Sequence, residues 1–304
     1  MTIKELEEKQ LLKVFYKLIS LAATKLPTKV EQQLKSEYKK EKNQLAKSQL
    51  EIIMENLKIA QDQTRPICQD TGIISVSITF GKSTRLKLSN FKLKQLFIKA
   101  VKMANSKIPL RPNAVDLFEG NTGNNIGDFV PWFNFDYKRK VNYIEISVFL
   151  KGGGCSNVSI LKMLNPGEGV AGIKKTILKK TIEAGGKGCP PYTIGIGIGG
   201  GEDIAMVLAK RALLIPPNSR NKDNRIAQLE KDLILGLNKT GIGIMGLGGG
   251  KAVLDVHIIK AARHPASLPL GISFNCWALR YAKARIYNNK IEFISHKEQE
   301  DIKL

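Results

Sequence analysis

The stretch 64–80, TRPICQDTGIISVSITF, decides the fold. Upstream of it the apolar residues recur at helical spacing, and downstream the period changes to two. Pro66 marks the boundary, because the residue before a proline avoids the α region and a helix ends there. Beyond it Ile74, Val76, Ile78 and Phe80 alternate with Ser75, Ser77 and Thr79, the pattern of a half-buried strand. Cys68, Gln69, Asp70, Thr71 and Gly72 therefore occupy an irregular turn between a helix and a strand.

Towards the N-terminus the pattern is helical from Ile3 to about Gln63, with Leu11, Leu12, Phe15, Leu18 and Ile19 on one stripe and Leu50, Ile53, Met54 and Leu57 on another. Pro27 and the Lys-rich stretch 38–42 interrupt it. Towards the C-terminus an amphipathic helix is expected over Lys92–Ser106, and a long Gly-, Asn- and Pro-rich loop over 111–131. A strand at Tyr143–Leu150 runs directly into Lys151-Gly152-Gly153-Gly154-Cys155. A helix is expected from Glu168 to Ala184, closed by Gly185-Gly186. Cys189-Pro190-Pro191 then leads into TIGIGIGGGED (193–203), a strand entering a glycine turn and a helix. Ala252–Ala262 is strand-like, and Gly271–Ser295 reads as two or three strands with a turn at Asn288-Asn289. The expected fold is α+β: a helical N-terminal region (1–63), then a mixed α/β body (64–297), in a single domain over 1–304.

Composition narrows the classes. At 304 residues, 43% hydrophobic and 25% charged, the chain can bury a core and reads as an ordinary globular protein. Its first ten residues, MTIKELEEKQ, hold no apolar signal region, and no apolar run nears the roughly 18 residues of a membrane span. A cytoplasmic address is expected. The net charge of +21 raises nucleic acid as a partner, but the lysines are dispersed and aromatics are only 7%, so base-stacking platforms are scarce. A solvated Lys-rich surface is the expected reading, with some attraction for dianionic substrates.

The four cysteines, Cys68, Cys155, Cys189 and Cys276, form no C-x-x-C pair. Cys68 follows a helix-ending proline, Cys189 precedes two prolines, and Cys276 lies near a strand end. Such spacing alone is compatible with plain buried thiols. The surroundings are richer. A carboxylate and an amide stand beside Cys68, and Gly152–Gly154 offers backbone N–H groups beside Lys151. Gly195, Gly197 and Gly199–Gly201 lead to a helix N-terminus that would favour an anion, or else permit tight packing. No phosphate-loop or dinucleotide fingerprint appears in proper context.

Several separated segments occur in the order of one family: RPICQDTG (65–72), IPLRPNAVDLF (108–118), NTGNNIGDFVPW (121–132), KGGGCSN (151–157), GCPPYTIGIGIG (188–199) and AARHPASLPLGISFNCWALR (261–280). Together they resemble the iron–sulfur hydro-lyases, the family that includes L(+)-tartrate dehydratase alpha subunits and class I fumarate hydratases. The GGGC segment and the Cys-Trp-Ala run lean towards the tartrate branch.

The resemblance implies that Cys68, Cys189 and Cys276 hold a [4Fe-4S] cluster with one iron not bound by a cysteine. Such an iron can act as a Lewis acid on a departing hydroxyl, unlike one in a four-cysteine electron-transfer cluster. Asp70 is the expected base and His264 the expected acid, with Arg111 gripping a substrate carboxylate through its bidentate fork. Gln69, Gly153 and Gly154 are expected substrate contacts. Lys151 adds positive potential or is simply a surface lysine, and Asn121 and Asn124 lie near the site without a role. Cys155 lines the site as a leftover thiol, His257 belongs to packing and His296 to a solvated tail.

The implied reaction is dehydration of L(+)-tartrate to oxaloacetate, with malate/fumarate interconversion as the alternative. A basic nucleic-acid binder with structural cysteines is the alternative from another class. The resemblance also implies a beta subunit carrying the rest of the site, in an αβ hetero-oligomer such as α2β2, with a small dicarboxylate as substrate and neither nucleic acid nor membrane as partner.

Overall fold

The computed structural model describes residues 8–82, 84, 86, 88–287, 290–296 and 302–303. They sort into two compact units, one formed by Met1–Thr28, Glu55–Gly152 and Arg280–Leu304 and the other by Lys29–Met54 and Gly153–Leu279. The fold is α+β, with a helical N-terminal region and an α/β body. No described helix is long and apolar enough to cross a membrane.

The N-terminal helices are α1 (Glu8–Thr24), α2 (Thr28–Lys40) and α3 (Gln44–Asp62). They break near Pro27 and after the Lys-rich stretch, as expected. The expected start at Ile3 and the turn at Asn288-Asn289 lie outside the described residues.

The first unit is a six-stranded sheet in the order β12-β11-β10-β5-β1-β4. Its strands are β1 (Ile73–Gly81), β4 (Trp132–Lys138), β5 (Ile144–Lys151), β10 (Tyr281–Tyr287), β11 (Lys290–Glu292) and β12 (Ile302–Lys303). Only β1 and β4 pair in parallel. The alternation in β1 does what it implies: Ile74, Val76 and Ile78 are buried against Phe15, Leu18, Phe97 and Val101 of α1 and α4 (Asn90–Lys107). Phe15 meets Phe97 edge-on, with centroids 5.1 Å apart. Ser89 caps α4 by accepting from Lys92 N. Within the loop expected at 111–131 the chain forms a minimal hairpin, β2 (Val115–Asp116) with β3 (Gly120–Asn121).

The second unit is a four-stranded sheet, β6-β9-β7-β8, built from β6 (Ile160–Leu164), β7 (Tyr192–Gly200), β8 (Val253–Arg263) and β9 (Leu268–Asn275). Helix α6 (Gly169–Ala184) ends at Gly185, as read. Helix α7 (Glu202–Ala212) packs on β7 and β9. The alternating glycines of β7 serve this packing. A Cβ at Gly195 would run into Ala209 O, and one at Gly197 into Ala205 O. These two glycines therefore belong to a close helix–sheet contact rather than to an anion-binding bend.

Besides the β2–β3 hairpin and β12, three elements escape the sequence reading: β4, β6 and helix α8 (Asn224–Asn238), whose N-cap Asp223 accepts from Arg225 N. A fourth difference is local. Gly153–Asn157 folds into one short helix, α5, where an open glycine loop was expected.

Candidate active site

In the first unit the turn after Pro66 is held from both sides. Ile67 N donates to Ala23 O at 2.9 Å, and Asn56 Nδ2 donates to Ile67 O at 2.9 Å. The half-buried thiol of Cys68 follows, and Gln69 is exposed, its Oε1 3.5 Å from Cys68 Sγ.

Asp70 is the most constrained side chain of this turn. Its Oδ1 accepts from Gly72 N at 2.8 Å and from Asn113 Nδ2 at 2.7 Å. Its backbone carbonyl accepts from Arg280 Nη1 at 2.6 Å. The other carboxylate oxygen, Oδ2, lies against Gly152, where a Cβ would stand only 2.8 Å from it. Gly72 has φ +77 and presses its Cα face on the Lys151–Gly152 backbone, so this position requires glycine. Thr71 Oγ1 donates to Arg111 O at 2.8 Å, tying the turn to the segment that carries the exposed Arg111.

Asn113 and Arg280 are functional candidates that the sequence reading left without a role. Both lie inside segments that carry the family resemblance, so a signal was present. Arg280 is 2% exposed, among the largest side chains buried so completely, and among the described residues its Nε has no partner. Lys151 is also buried, contrary to the surface-lysine reading: it ends β5 with its side chain inside.

In the second unit the other three cysteines meet around Tyr192. Cys189 N donates to Gly186 O at 3.1 Å, and Trp277 N donates to Cys189 O at 3.2 Å, which fastens the Cys189 turn to the Cys276–Trp277 turn. Cys189 adopts φ +56, a left-handed conformation uncommon for residues other than glycine. Asn275 Nδ2 donates to Cys276 O at 3.0 Å and to Ala278 O at 3.2 Å. Its Oδ1 accepts from Cys155 Sγ at 3.9 Å. The Tyr192 hydroxyl donates to Gly185 O at 2.8 Å and accepts from Gly188 N at 3.0 Å. Burial, with the nearby Cys189, Cys276 and Cys155, pushes its pKa up to about 12, so it stays a neutral donor.

All four cysteines are thiols, and exposure sorts them. Cys189 is exposed and Cys68 and Cys276 are half-buried, whereas Cys155 is buried with its sulfur on Asn275. Accessible thiols are soft donors of the kind that suits an iron–sulfur group, whereas a buried thiol suits packing. Among the described residues no three His, Cys, Asp or Glu side chains gather closely enough to hold a single metal ion, a smaller object than a four-iron cluster.

The remaining expectations divide. Gly153 and Gly154 open α5, two residues ahead of Cys155. Asn121 and Asn124 cap local turns, accepting from Gly123 N and Ile126 N. His264 is exposed in the β8–β9 turn, where its Nδ1 accepts from Ala266 N at 3.2 Å. It stands at the opposite end of β9 from Cys276, about 25 Å away at the usual strand rise, so the structure does not bring the two together. His257 is a core residue, as expected. His296, expected in a solvated tail, is instead 1% exposed, bridging Ser295 Oγ and Lys25 O.

Known proteins resemble this chain along nearly its whole length. The family model described as fumarate hydratase (Fumerase) matches residues 12–285. A Methanocaldococcus jannaschii protein provisionally named L(+)-tartrate dehydratase subunit alpha is 44% identical over 275 residues, 90% of this chain and 96% of the relative. The L(+)-tartrate dehydratase subunit alpha of Escherichia coli strain UTI89 is 37% identical over 279 residues, 91% of both chains. That of Escherichia coli strain K12 is 36% identical over the same length.

Proposed function

The chain belongs to the fumarate hydratase (Fumerase) family and is a hydro-lyase, and on that premise we propose that it is the alpha subunit of an iron–sulfur enzyme dehydrating L(+)-tartrate to oxaloacetate. The names of the relatives favour tartrate over malate. The observation that carries the chemistry is Asp70, two residues after an accessible thiol, with one carboxylate oxygen fixed by Gly72 N and Asn113.

Family membership implies an iron–sulfur group. Its proposed form is a [4Fe-4S] cluster on Cys68, Cys189 and Cys276, and the exposure of those three thiols beside the buried Cys155 supports that choice. When bound, the group supplies a Lewis-acidic iron for the departing hydroxyl. The chain's residues do the rest. Asp70 Oδ2 takes the proton from the carbon next to the one losing hydroxyl. The C–H electron pair becomes the new double bond, and hydroxide departs. Asp70 then returns its proton to that hydroxide, so one water leaves per turnover and the enol product tautomerises to oxaloacetate. Arg111 pairs with a substrate carboxylate, and Gln69 and the N–H groups of Gly153 and Gly154 make further contacts. His264 is left out of this site because β9 separates it from Cys276.

A beta subunit completes the site in this proposal, as the word alpha in the relatives' names suggests. The test is anaerobic reconstitution with iron and sulfide, with and without a co-expressed beta partner, followed by assays on L(+)-tartrate, malate and fumarate. Tartrate turnover by the pair, and little by the chain alone, is expected. Faster turnover of malate would overturn the substrate assignment, and full activity of the chain alone would overturn the need for a partner.

A further inference from the structure

A cavity of about 460 Å³ lies wholly within the second unit, far larger than a single ion requires and in the size range of small-molecule sites. One wall is a single face of α2. Lys29, Gln33, Ser36, Glu37 and Lys40 recur at helical spacing and all line it. The opposite wall brings Asn218, Arg220 and Lys251.

The walls are preformed. Asp255, fully buried, accepts from Asn218 N at 2.7 Å and from Arg220 Nη1 at 2.8 Å, which fixes the loop carrying both. Gln33 Nε2 donates to Leu254 O at 2.8 Å and fastens α2 to β8. Among the described residues Gln33 Oε1 finds no partner, as befits an acceptor kept for a ligand hydroxyl.

The charges are arranged along a line. Lys251 is paired with Glu37 at 2.8 Å and Arg220 with Asp255 at 2.8 Å. Lys29 and Lys40 have no carboxylate partner among the described residues. They lie eleven positions apart on α2, about 16 Å at the helical rise. Both lysines line the cavity, together with Gln33, Ser36 and Asn218. Among the described residues the lining includes no aromatic ring, so a base or flat ring has nothing to stack on.

We propose that the cavity along α2 binds an elongated phosphorylated polyol, with one phosphate at the Lys29 end and another at the Lys40 end. The two lysines take the phosphates, and the amide and hydroxyl side chains between them take the polyol hydroxyls. The proposal stands apart from the hydro-lyase site.

Calorimetry on the full chain tests it with fructose 1,6-bisphosphate, fructose 6-phosphate, inorganic phosphate, fructose and citrate. The bisphosphate is expected to bind at least about tenfold more tightly than either single-phosphate probe, with fructose and citrate weaker still. The double variant Lys29→Ala/Lys40→Ala is expected to lose that preference. The control Lys179→Ala/Lys180→Ala, on α6 of the same unit, is expected to keep it. Equal affinity for bisphosphate, inorganic phosphate and citrate in the parent chain would overturn the proposal, whatever the variants do. So would an undiminished preference in the double variant, or its loss in the control.

Discussion

Arg280 donates a 2.6 Å hydrogen bond to the main-chain carbonyl of Asp70, joining residues 210 positions apart in the chain. The bond orients the turn on which the carboxylate sits, while Gly72 N and Asn113 orient the carboxylate itself. Arg280 touches no reacting atom here and is a positioning residue.

Arg280→Met is therefore expected to cost about 2–3 kcal/mol, because it removes a charged hydrogen bond from a part-buried carbonyl. Urea unfolding would read this as a lower midpoint with an unchanged slope. An unchanged midpoint would mean that the turn is held by other means.

Asp70→Asn keeps the shape and the contact to Gly72 N but removes the base. Turnover is expected to fall about a hundredfold or more. The cluster spectrum should stay that of the parent, which separates loss of the base from loss of the cofactor. Turnover close to that of the parent chain would remove Asp70 from the reaction.

The cysteines form a matched set. Cys155→Ser is expected to retain the reconstituted cluster, measured by anaerobic absorption and spin resonance, because its thiol is buried on Asn275. Serine at Cys68, Cys189 or Cys276 is expected to lose it. Loss in the Cys155 variant would point to four ligands and to electron transfer instead.

Gly197→Ala tests the packing reading of β7. The added methyl would meet Ala205 O, so either α7 lifts or the strand bends, at a cost of about 1–3 kcal/mol. Thermal unfolding should drop by several degrees. A neutral outcome would remove the packing role from this glycine.

Burial lowers the pKa of both His257 and His296 to about 4. Their folded values lie below the unfolded one, so between about 4 and 6.5 the unfolded chain binds more protons. Stability is then complete above the unfolded value and lost as pH falls through that window, by roughly 3 kcal/mol per histidine at most. His296→Gln should flatten the fall measured by urea unfolding between about pH 7 and pH 4.5. An unchanged slope would show that the ring is not neutral in the fold.

Much of the architecture was legible in one dimension, and the failures have physical causes. The change of period at Pro66 located the end of α3 and the start of β1, because helix and strand bury different sets of positions. Strand β4 was missed because it is a sheet edge with one exposed face, and its alternation is correspondingly faint. The glycines of β7 were ambiguous because a missing side chain serves an approaching helix and an approaching anion equally well. Only the position of α7 separates the two. His296 was misread because its neighbours in sequence are polar, while the partner that ties it into the fold, Lys25 O, lies 271 positions away in the chain.

The amino-acid sequence by itself determined the period of each main element, the turns that carry Cys68, Cys189 and Cys276, and the kinship with hydro-lyases. These are properties of short stretches, read from local sterics and from motifs. The tertiary structure decided which thiols are accessible, what holds Asp70, and that β9 keeps His264 from Cys276. Those facts depend on which distant segments meet, and pairing between residues far apart in the chain leaves no local trace.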